Sequence, residues 1–153
     1  MAGRETPATR AAKAAGITYT LHEYDHDPRA DSYAGEAAEA LGLDPARVFK
    51  TLVVSVGDDL AVAIVPAASQ LDLKAVGKRA AMADTARAEK VTGYVAGGIS
   101  PLGQRKRLPT FLDEGARAFP TIFVSAGRRG LEIELAPADL VALTGADVRA
   151  LAR

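Results

Sequence analysis

The fold is decided by residues 48–65, VFKTLVVSVGDDLAVAIV, near the middle of the chain. Residues 48–56 and 60–65 are runs of apolar, largely β-branched side chains, a composition that favours β-strands. Between them Gly57-Asp58-Asp59 is a short turn signal, so the two runs predict an antiparallel hairpin. Because both runs are almost wholly apolar, we expect this hairpin to lie near the middle of a sheet.

Helical and strand patterns are mixed on either side of this hairpin. Thr6 and Pro7 are typical of a helix start, and Gly16 of a helix end, so residues 8–15 predict a helix. Further helices are predicted over residues 71–81, 85–91 and 137–143, with a last turn at 147–151, and further strands over 17–21, 121–125 and 131–135. Strict alternation of strand and helix is absent, which argues against a doubly wound parallel sheet. We therefore predict an α+β fold, with residues 1–153 forming a single domain.

Composition excludes several classes of site. The chain has 153 residues, with 19 basic and 19 acidic side chains, two histidines and no cysteine. Disulfides, thiolate metal sites and a cysteine nucleophile are therefore excluded, and we expect no metal site. The absence of a long apolar span or a signal peptide predicts a cytoplasmic protein that does not bind membranes. Zero net charge argues against non-specific DNA binding.

Lys50 stands alone among apolar residues of the predicted hairpin. Its ammonium group is costly to bury without a partner. Alternation along the strand would place it on a solvated face, or its long side chain could reach solvent. The alternative is a positive charge on a pocket wall that binds a carboxylate or a developing oxyanion.

The glycine-rich segment 96–103, AGGISPLG, is a second candidate. Gly97 and Gly98 would allow close approach of a ligand and present backbone N–H donors, although a plain turn would use the same residues. The basic cluster that follows is either a solvated face or a phosphodiester site. Further along, Glu132 and Glu134 share one strand face, which predicts an exposed charged surface or, alternatively, a carboxylate pair for acid–base chemistry.

Several short stretches, taken in order, resemble one family. They are TPA at residues 6–8, HEYDHD at 22–27, VFKTL at 48–52, MAD at 82–84, TGYV at 92–95, GGISPLGQ at 97–104, VS at 124–125, Gly127, RGL at 129–131 and PADL at 137–140. The family is the YbaK-type Cys-tRNA(Pro) deacylases, relatives of the editing insertion domain of bacterial prolyl-tRNA synthetases. The likeness spans nearly the whole chain, and the glycine segment is its most specific part.

The resemblance implies a trans-editing hydrolase that removes cysteine from proline tRNA in association with prolyl-tRNA synthetase, without a cofactor. It also implies a mixed, mostly antiparallel, strongly curved sheet or partial barrel surrounded by helices. The family's central lysine falls on Lys50 and its glycine loop on Gly97 and Gly98, which are the implied catalytic positions. The implied substrate-binding positions are Tyr24, Tyr33 (where phenylalanine is common), Thr51, Ser100 and Ser125. In this family the substrate's own thiol is thought to attack its carbonyl, so no enzyme thiol is needed.

Charge is distributed unevenly along the chain. Residues 23–44 hold seven acidic side chains against Arg29 alone, whereas residues 101–130 hold six basic side chains against Asp113 and Glu114. A local basic patch could therefore seat a tRNA acceptor end on a protein of zero net charge. The candidate tRNA-binding residues are Arg105, Lys106, Arg107, Arg128 and Arg129.

Two other functions fit the same residues. One is a sibling deacylase that removes alanine or another small amino acid from tRNA. The other is a non-catalytic module that docks tRNA or a synthetase, for which an intact Lys50 and glycine segment would be unnecessary.

Overall fold

The computed structural model describes residues 4–27 and 33–153. This part of the chain forms five α-helices, one 3-10 helix and eight strands. The helices are α1 (Pro7–Ala15), α2 (Tyr33–Leu41), α3 (Leu73–Val76), α4 (Thr85–Thr92) and α5 (Pro137–Thr144), and the 3-10 helix is Glu114–Ala118. The strands are β1 (Tyr19–Glu23), β2 (Phe49–Val56), β3 (Asp59–Pro66), β4 (Ala80–Met82), β5 (Thr110–Asp113), β6 (Ile122–Arg128), β7 (Leu131–Leu135) and β8 (Asp147–Arg149).

The strands form two sheets, and the α+β prediction is confirmed. One sheet has the order β4-β2-β3-β5-β8, with β2 antiparallel to both β3 and β4 and with β5 parallel to β3 and β8. The other is the antiparallel sheet β1-β7-β6. An isolated parallel bridge between Val48 and Phe123 links the two sheets, which do not close into a barrel.

The predicted hairpin is confirmed at the centre of the five-stranded sheet. Lys50 pairs with Val65, and every residue of β3 after Asp59 is buried. Alternate β3 residues enter two different cores, with Val62 and Ile64 in the larger one and Ala61, Ala63 and Val65 in the smaller one. Burial on both faces explains why the sequence of this strand is continuously apolar.

The edge of β2 that faces away from β3 is only partly covered. The short strand β4 pairs with β2 at residues 54–56 and stops there. The preceding half of β2, which contains Lys50, therefore has no strand beside it on that edge in the described structure. The candidate site lies along this uncovered part of β2.

Two predicted helical segments are wrong. Residues 71–81 hold only the one-turn helix α3, which ends at Gly77, and residues 80–82 instead pair with the edge of β2 as β4. Residues 147–149 likewise form β8 beside β5 rather than a helical turn. In both cases pairing with a distant strand overrides the local preference. Among the described residues, no helix has the length and apolar character to cross a bilayer.

The first helix is confirmed, with Thr6 as its N-cap. The Thr6 hydroxyl accepts a hydrogen bond from the Thr9 N–H, and the Thr9 hydroxyl accepts one from the Thr6 N–H, which makes a reciprocal capping box. The Thr6 hydroxyl also donates to the Ala126 carbonyl in β6. The same residue thus starts α1 and attaches it to the three-stranded sheet.

Candidate active site

A cleft of about 430 Å³ opens along the uncovered edge of β2. Its walls come from seven separate segments of the chain. Its lining residues are Tyr24, Ala34, Phe49, Lys50, Thr51, Leu52, Val53, Met82, Ala83, Thr85, Ala88, Ala96, Gly97, Ile99, Ser125 and Glu132. Most of these residues are apolar, and a few polar groups converge among them, as is typical of small-molecule sites.

Lys50 lies on the wall of this cleft. Its position near the start of β2, beyond the last pairing with β4, gives it access to the cleft despite the apolar neighbours on either side. Burial lowers the pKa of its ammonium group below the ordinary value, because desolvation disfavours the charged form. The structure therefore places the Lys50 side chain, partly buried, on a pocket wall rather than on a fully solvated face.

Three further predicted binding residues line the same cleft: Tyr24, Thr51 and Ser125. The Tyr24 N–H donates to the Gly130 carbonyl, and burial, followed by the nearby Glu132 carboxylate, raises the pKa of its phenol to about 12. The phenol is thus a neutral hydrogen-bonding group at physiological pH. Thr51 lines the cleft, and its hydroxyl is buried without a hydrogen-bond partner in the described structure.

The glycine segment contributes Gly97 to the cleft, with a positive φ of 87°. No hydrogen bond within the described structure engages the Gly97 N–H, so this donor is available. The N–H of Gly98 instead donates to the Val95 carbonyl at 2.9 Å. A Cβ at Gly98 would lie 2.8 Å from the Arg128 Cα, so this glycine permits close packing of the loop against the β6–β7 turn. Gly98 therefore has a packing role, and Gly97 is the candidate oxyanion donor.

Ser100 does not line the cleft, contrary to the prediction. Its side chain is fully buried, and its hydroxyl accepts a hydrogen bond from the Leu102 N–H at 3.2 Å. The Ser100 carbonyl also accepts one from the Gln104 side chain. Ser100 thus stabilises the glycine segment from within, because the chain turns inward at Pro101 instead of continuing along the cleft.

The predicted tRNA-binding residues occupy different places. Arg129 donates from Nε and Nη2 to the Ala96 carbonyl, at 3.0 and 2.6 Å, and so holds the glycine segment at the cleft wall. Arg128 forms an ion pair with Glu23 at 3.3 Å beside it. The exposed Arg105 and Lys106 follow the segment in sequence and donate their backbone N–H groups to the last turn of α4, and Arg107 lines a separate small cavity. None of these five side chains lines the main cleft.

Tyr33 begins α2, and the prediction made for its side chain lies outside the described residues. Two polar cleft residues, Thr85 and Glu132, are not among the predicted site residues, and the sequence indicated Glu132 only through the alternative of a carboxylate pair. The Glu132 side chain is only 5% exposed, and burial raises the pKa of its carboxyl from 4.5 to about 8. Strand alternation placed Glu132 and Glu134 on one face, but it did not reveal that Glu132 is buried in the cleft wall whereas Glu134 is only partly buried.

Together these groups can act on a polar ligand that carries a carbonyl. The cleft offers one cationic side chain, one backbone N–H donor, four hydroxyls and one buried carboxyl. Backbone donors and cations aimed at a carbonyl oxygen stabilise the negative charge that develops during acyl transfer. Within the described ranges, no three side chains of histidine, aspartate or glutamate cluster as metal ligands.

Comparison with known proteins agrees with this chemistry. The sequence profile of the aminoacyl-tRNA editing domain matches residues 27–143. EbsC of Enterococcus faecalis, provisionally assigned as a Cys-tRNA(Pro)/Cys-tRNA(Cys) deacylase, is 39% identical over 149 residues, covering 92% of this chain and 89% of its own. YwhH of Bacillus subtilis, an uncharacterised protein, is 31% identical over 110 residues, covering 69% and 70%.

Solved structures extend the comparison to the fold. One crystal structure, of a protein provisionally described as a trans-editing enzyme for prolyl-tRNA synthetase, matches with a TM-score of 0.84 and 28% identity, covering 97% of this chain and 98% of the other. A second, of the hypothetical protein APE2540, shares the fold with a TM-score of 0.83 at 24% identity, covering 97% of this chain and 100% of the other.

Proposed function

The chain belongs to the aminoacyl-tRNA editing domain family and is an aminoacyl-tRNA deacylase, and on that premise we propose that it removes cysteine from mischarged proline tRNA. Residues 1–153 would serve as one deacylase domain, working in the cytoplasm where aminoacyl-tRNA is used. The observation that carries the proposal is the convergence of Lys50, Gly97 and Ser125 on one cleft from distant parts of the chain. The name of the E. faecalis relative supports cysteine as the amino acid.

The ester of an aminoacyl-tRNA is already activated, so orientation and charge stabilisation suffice for its cleavage. In the proposed reaction the Gly97 N–H donates to the carbonyl oxygen as negative charge develops on it. Lys50, which lines the same cleft, orients the ester or the terminal adenosine. Tyr24 and Ser125 hold the amino-acid portion by hydrogen bonding without changing their protonation state.

The substrate supplies the nucleophile in this proposal. The cysteine sulfur forms a bond to its own carbonyl carbon, and the bond from that carbon to the ribose oxygen breaks. The thiol proton passes to the ribose oxygen, which leaves as the free hydroxyl of the tRNA. The product is a four-membered thiolactone, which water then opens to cysteine, so the overall change is hydrolysis of the ester.

The acceptor end of the tRNA would approach past the β6–β7 turn. Arg128 and Arg129 lie beside the cleft there, and the exposed residues Arg105, Lys106 and Arg107 follow the glycine segment in sequence. Phosphate contacts of this kind position a nucleic acid without reading its sequence. Because the chain carries no net charge, we expect modest tRNA affinity and a need for prolyl-tRNA synthetase to supply specificity.

A deacylation panel tests this proposal. Cys-tRNA(Pro), Ala-tRNA(Pro) and Ser-tRNA(Pro) are incubated with the protein, with and without prolyl-tRNA synthetase, and the remaining ester is measured over time. We expect cleavage of the cysteinyl ester and survival of the seryl ester, because a hydroxyl is a much weaker nucleophile than a thiol. Equal cleavage of both would indicate an activated water instead, and preference for the alanyl ester would indicate the sibling deacylase activity.

A further inference from the structure

Glu132 is a buried carboxyl that faces the cleft and has no partner there. Its side chain is 5% exposed, and it takes part in no hydrogen bond or ion pair with other described residues. Its neighbours in the sheet are His22 on β1 and Ser125 on β6. The His22 ring bonds to Glu134 at 2.9 Å and the Ser125 hydroxyl accepts from the Gly127 N–H at 3.2 Å, so both already have other partners.

Glu134, two residues further along the same strand, shows the usual alternative. Its carboxylate accepts a hydrogen bond from the Thr121 hydroxyl at 2.6 Å and lies 2.9 Å from the His22 ring, and these contacts help to lower its pKa. Glu132 has none of this compensation, and burial alone accounts for the raised pKa of its carboxyl. An ionisable group buried without a partner costs stability, and a bound ligand of opposite charge would remove that cost.

The cleft is therefore polarised. Lys50 supplies a positive group on β2 and Glu132 supplies an acidic group on β7, yet the two do not form an ion pair with each other, and burial causes the pKa shift of each. A ligand that is cationic at one end and electron-rich at the other would satisfy both. An aminoacyl ester has this pattern, because its α-ammonium group is on the carbon next to the carbonyl.

We propose that Glu132 binds the α-ammonium group of the aminoacyl ester and so selects substrates with a free amino group. This inference rests on the proposed function and deepens it. The carbonyl oxygen would point to Gly97, the ester or terminal adenosine to Lys50, and the amino group to Glu132. When the ammonium group binds, the carboxyl releases its proton to solvent, because the neighbouring positive charge favours the carboxylate. The resulting charge-assisted hydrogen bond would favour the amine-bearing substrate by about 10- to 100-fold.

The test compares cysteinyl-tRNA(Pro) with 3-mercaptopropionyl-tRNA(Pro), which keeps the thiol and the ester but lacks the amino group. Single-turnover rates are measured for the wild type, Glu132→Gln and the matched control Glu134→Gln, and each rate is divided by the uncatalysed rate of the same ester. We expect the wild type and the control to prefer the cysteinyl ester about 10- to 100-fold. In Glu132→Gln that preference should fall close to one, mainly through a slower reaction of the cysteinyl ester, while circular dichroism shows an intact fold.

Two results would overturn the inference: a wild type that cleaves both esters equally well, or a Glu132→Gln variant that keeps the wild-type preference. Failure of the wild type to cleave the cysteinyl ester at all would instead overturn the cysteine specificity of the proposed function. If alanine is the amino acid removed, the matched pair becomes alanyl- and propionyl-tRNA(Pro), and the same comparison of preferences decides the role of Glu132.

Discussion

Replacing Glu132 by glutamine should make the protein more stable at neutral pH. The carboxyl has a pKa of about 8 in the folded protein against an ordinary value of 4.5, because burial disfavours its charged form. The folded state therefore holds this proton more tightly than the unfolded state does. The free energy of unfolding is therefore highest at pH values below the pKa that Glu132 has in the unfolded state. It falls as the pH rises towards the pKa of the folded state. The glutamine side chain of the variant cannot ionise, so the variant escapes this loss.

The expected magnitude follows from linkage between protonation and folding. Each pH unit between the two pKa values changes the free energy of unfolding by about 1.4 kcal/mol. Raising the pH from about 5 to about 7.5 should therefore destabilise the wild type by roughly 3 kcal/mol relative to Glu132→Gln. Any difference in hydrogen bonding between the neutral acid and the amide is the same at every pH. It therefore cancels when the stability difference between the two proteins at one pH is subtracted from that at another.

The assay is urea denaturation of both proteins at several pH values across that range. Glu134→Gln serves as the control, because hydrogen bonding to Thr121 lowers the pKa of Glu134 and its contribution to stability is lost only as the pH falls below its ordinary value. The difference in unfolding free energy between wild type and Glu134→Gln should stay flat over the same range. A flat difference for Glu132→Gln as well would refute the buried, uncompensated state of this carboxyl.

Three other substitutions have defined outcomes. Lys50→Met should leave the thermal midpoint equal or higher, because burial disfavours the ammonium group; a fall of several degrees would contradict this. Gly98→Ala should lower the unfolding free energy in urea by about 1–3 kcal/mol, because the new Cβ would lie 2.8 Å from the Arg128 Cα; an unchanged midpoint would contradict the packing role. Arg129→Lys should slow deacylation roughly tenfold, because lysine lacks the fork that holds the Ala96 carbonyl. A wild-type rate in that variant would show that this fork does not position the segment.

Elements that depend on local sequence were predictable. The hairpin of β2 and β3 follows from two apolar runs around a turn, and α1 follows from its capping residues. Residues 71–81 were predicted as a helix because their pattern is locally helical, but residues 80–82 complete the edge of β2. That edge is made by residues far away in the sequence, so no local pattern could indicate the pairing.

The site residues also divide into those that the local sequence indicates and those that depend on distant parts of the chain. Lys50 could be singled out because one charge among apolar residues is unusual, and its place in the cleft agrees with the pocket-wall interpretation. Ser100 was assigned to the cleft from the glycine segment in which it lies, but the path of the backbone places it inside. The burial of Glu132 depends on the cleft walls around it, which include segments distant in sequence such as β2 and the glycine segment.

The most direct measurement is the single-turnover rate at which Cys-tRNA(Pro) is deacylated by the wild type, Lys50→Ala and Lys74→Ala, with prolyl-tRNA synthetase present. Lys74 is an exposed lysine of α3 that does not line the cleft, so its variant controls for loss of a positive charge. We predict that Lys50→Ala loses about 100- to 1,000-fold in rate while remaining folded, and that Lys74→Ala keeps the wild-type rate. Full activity in Lys50→Ala would contradict the assignment of this cleft as the site of ester cleavage.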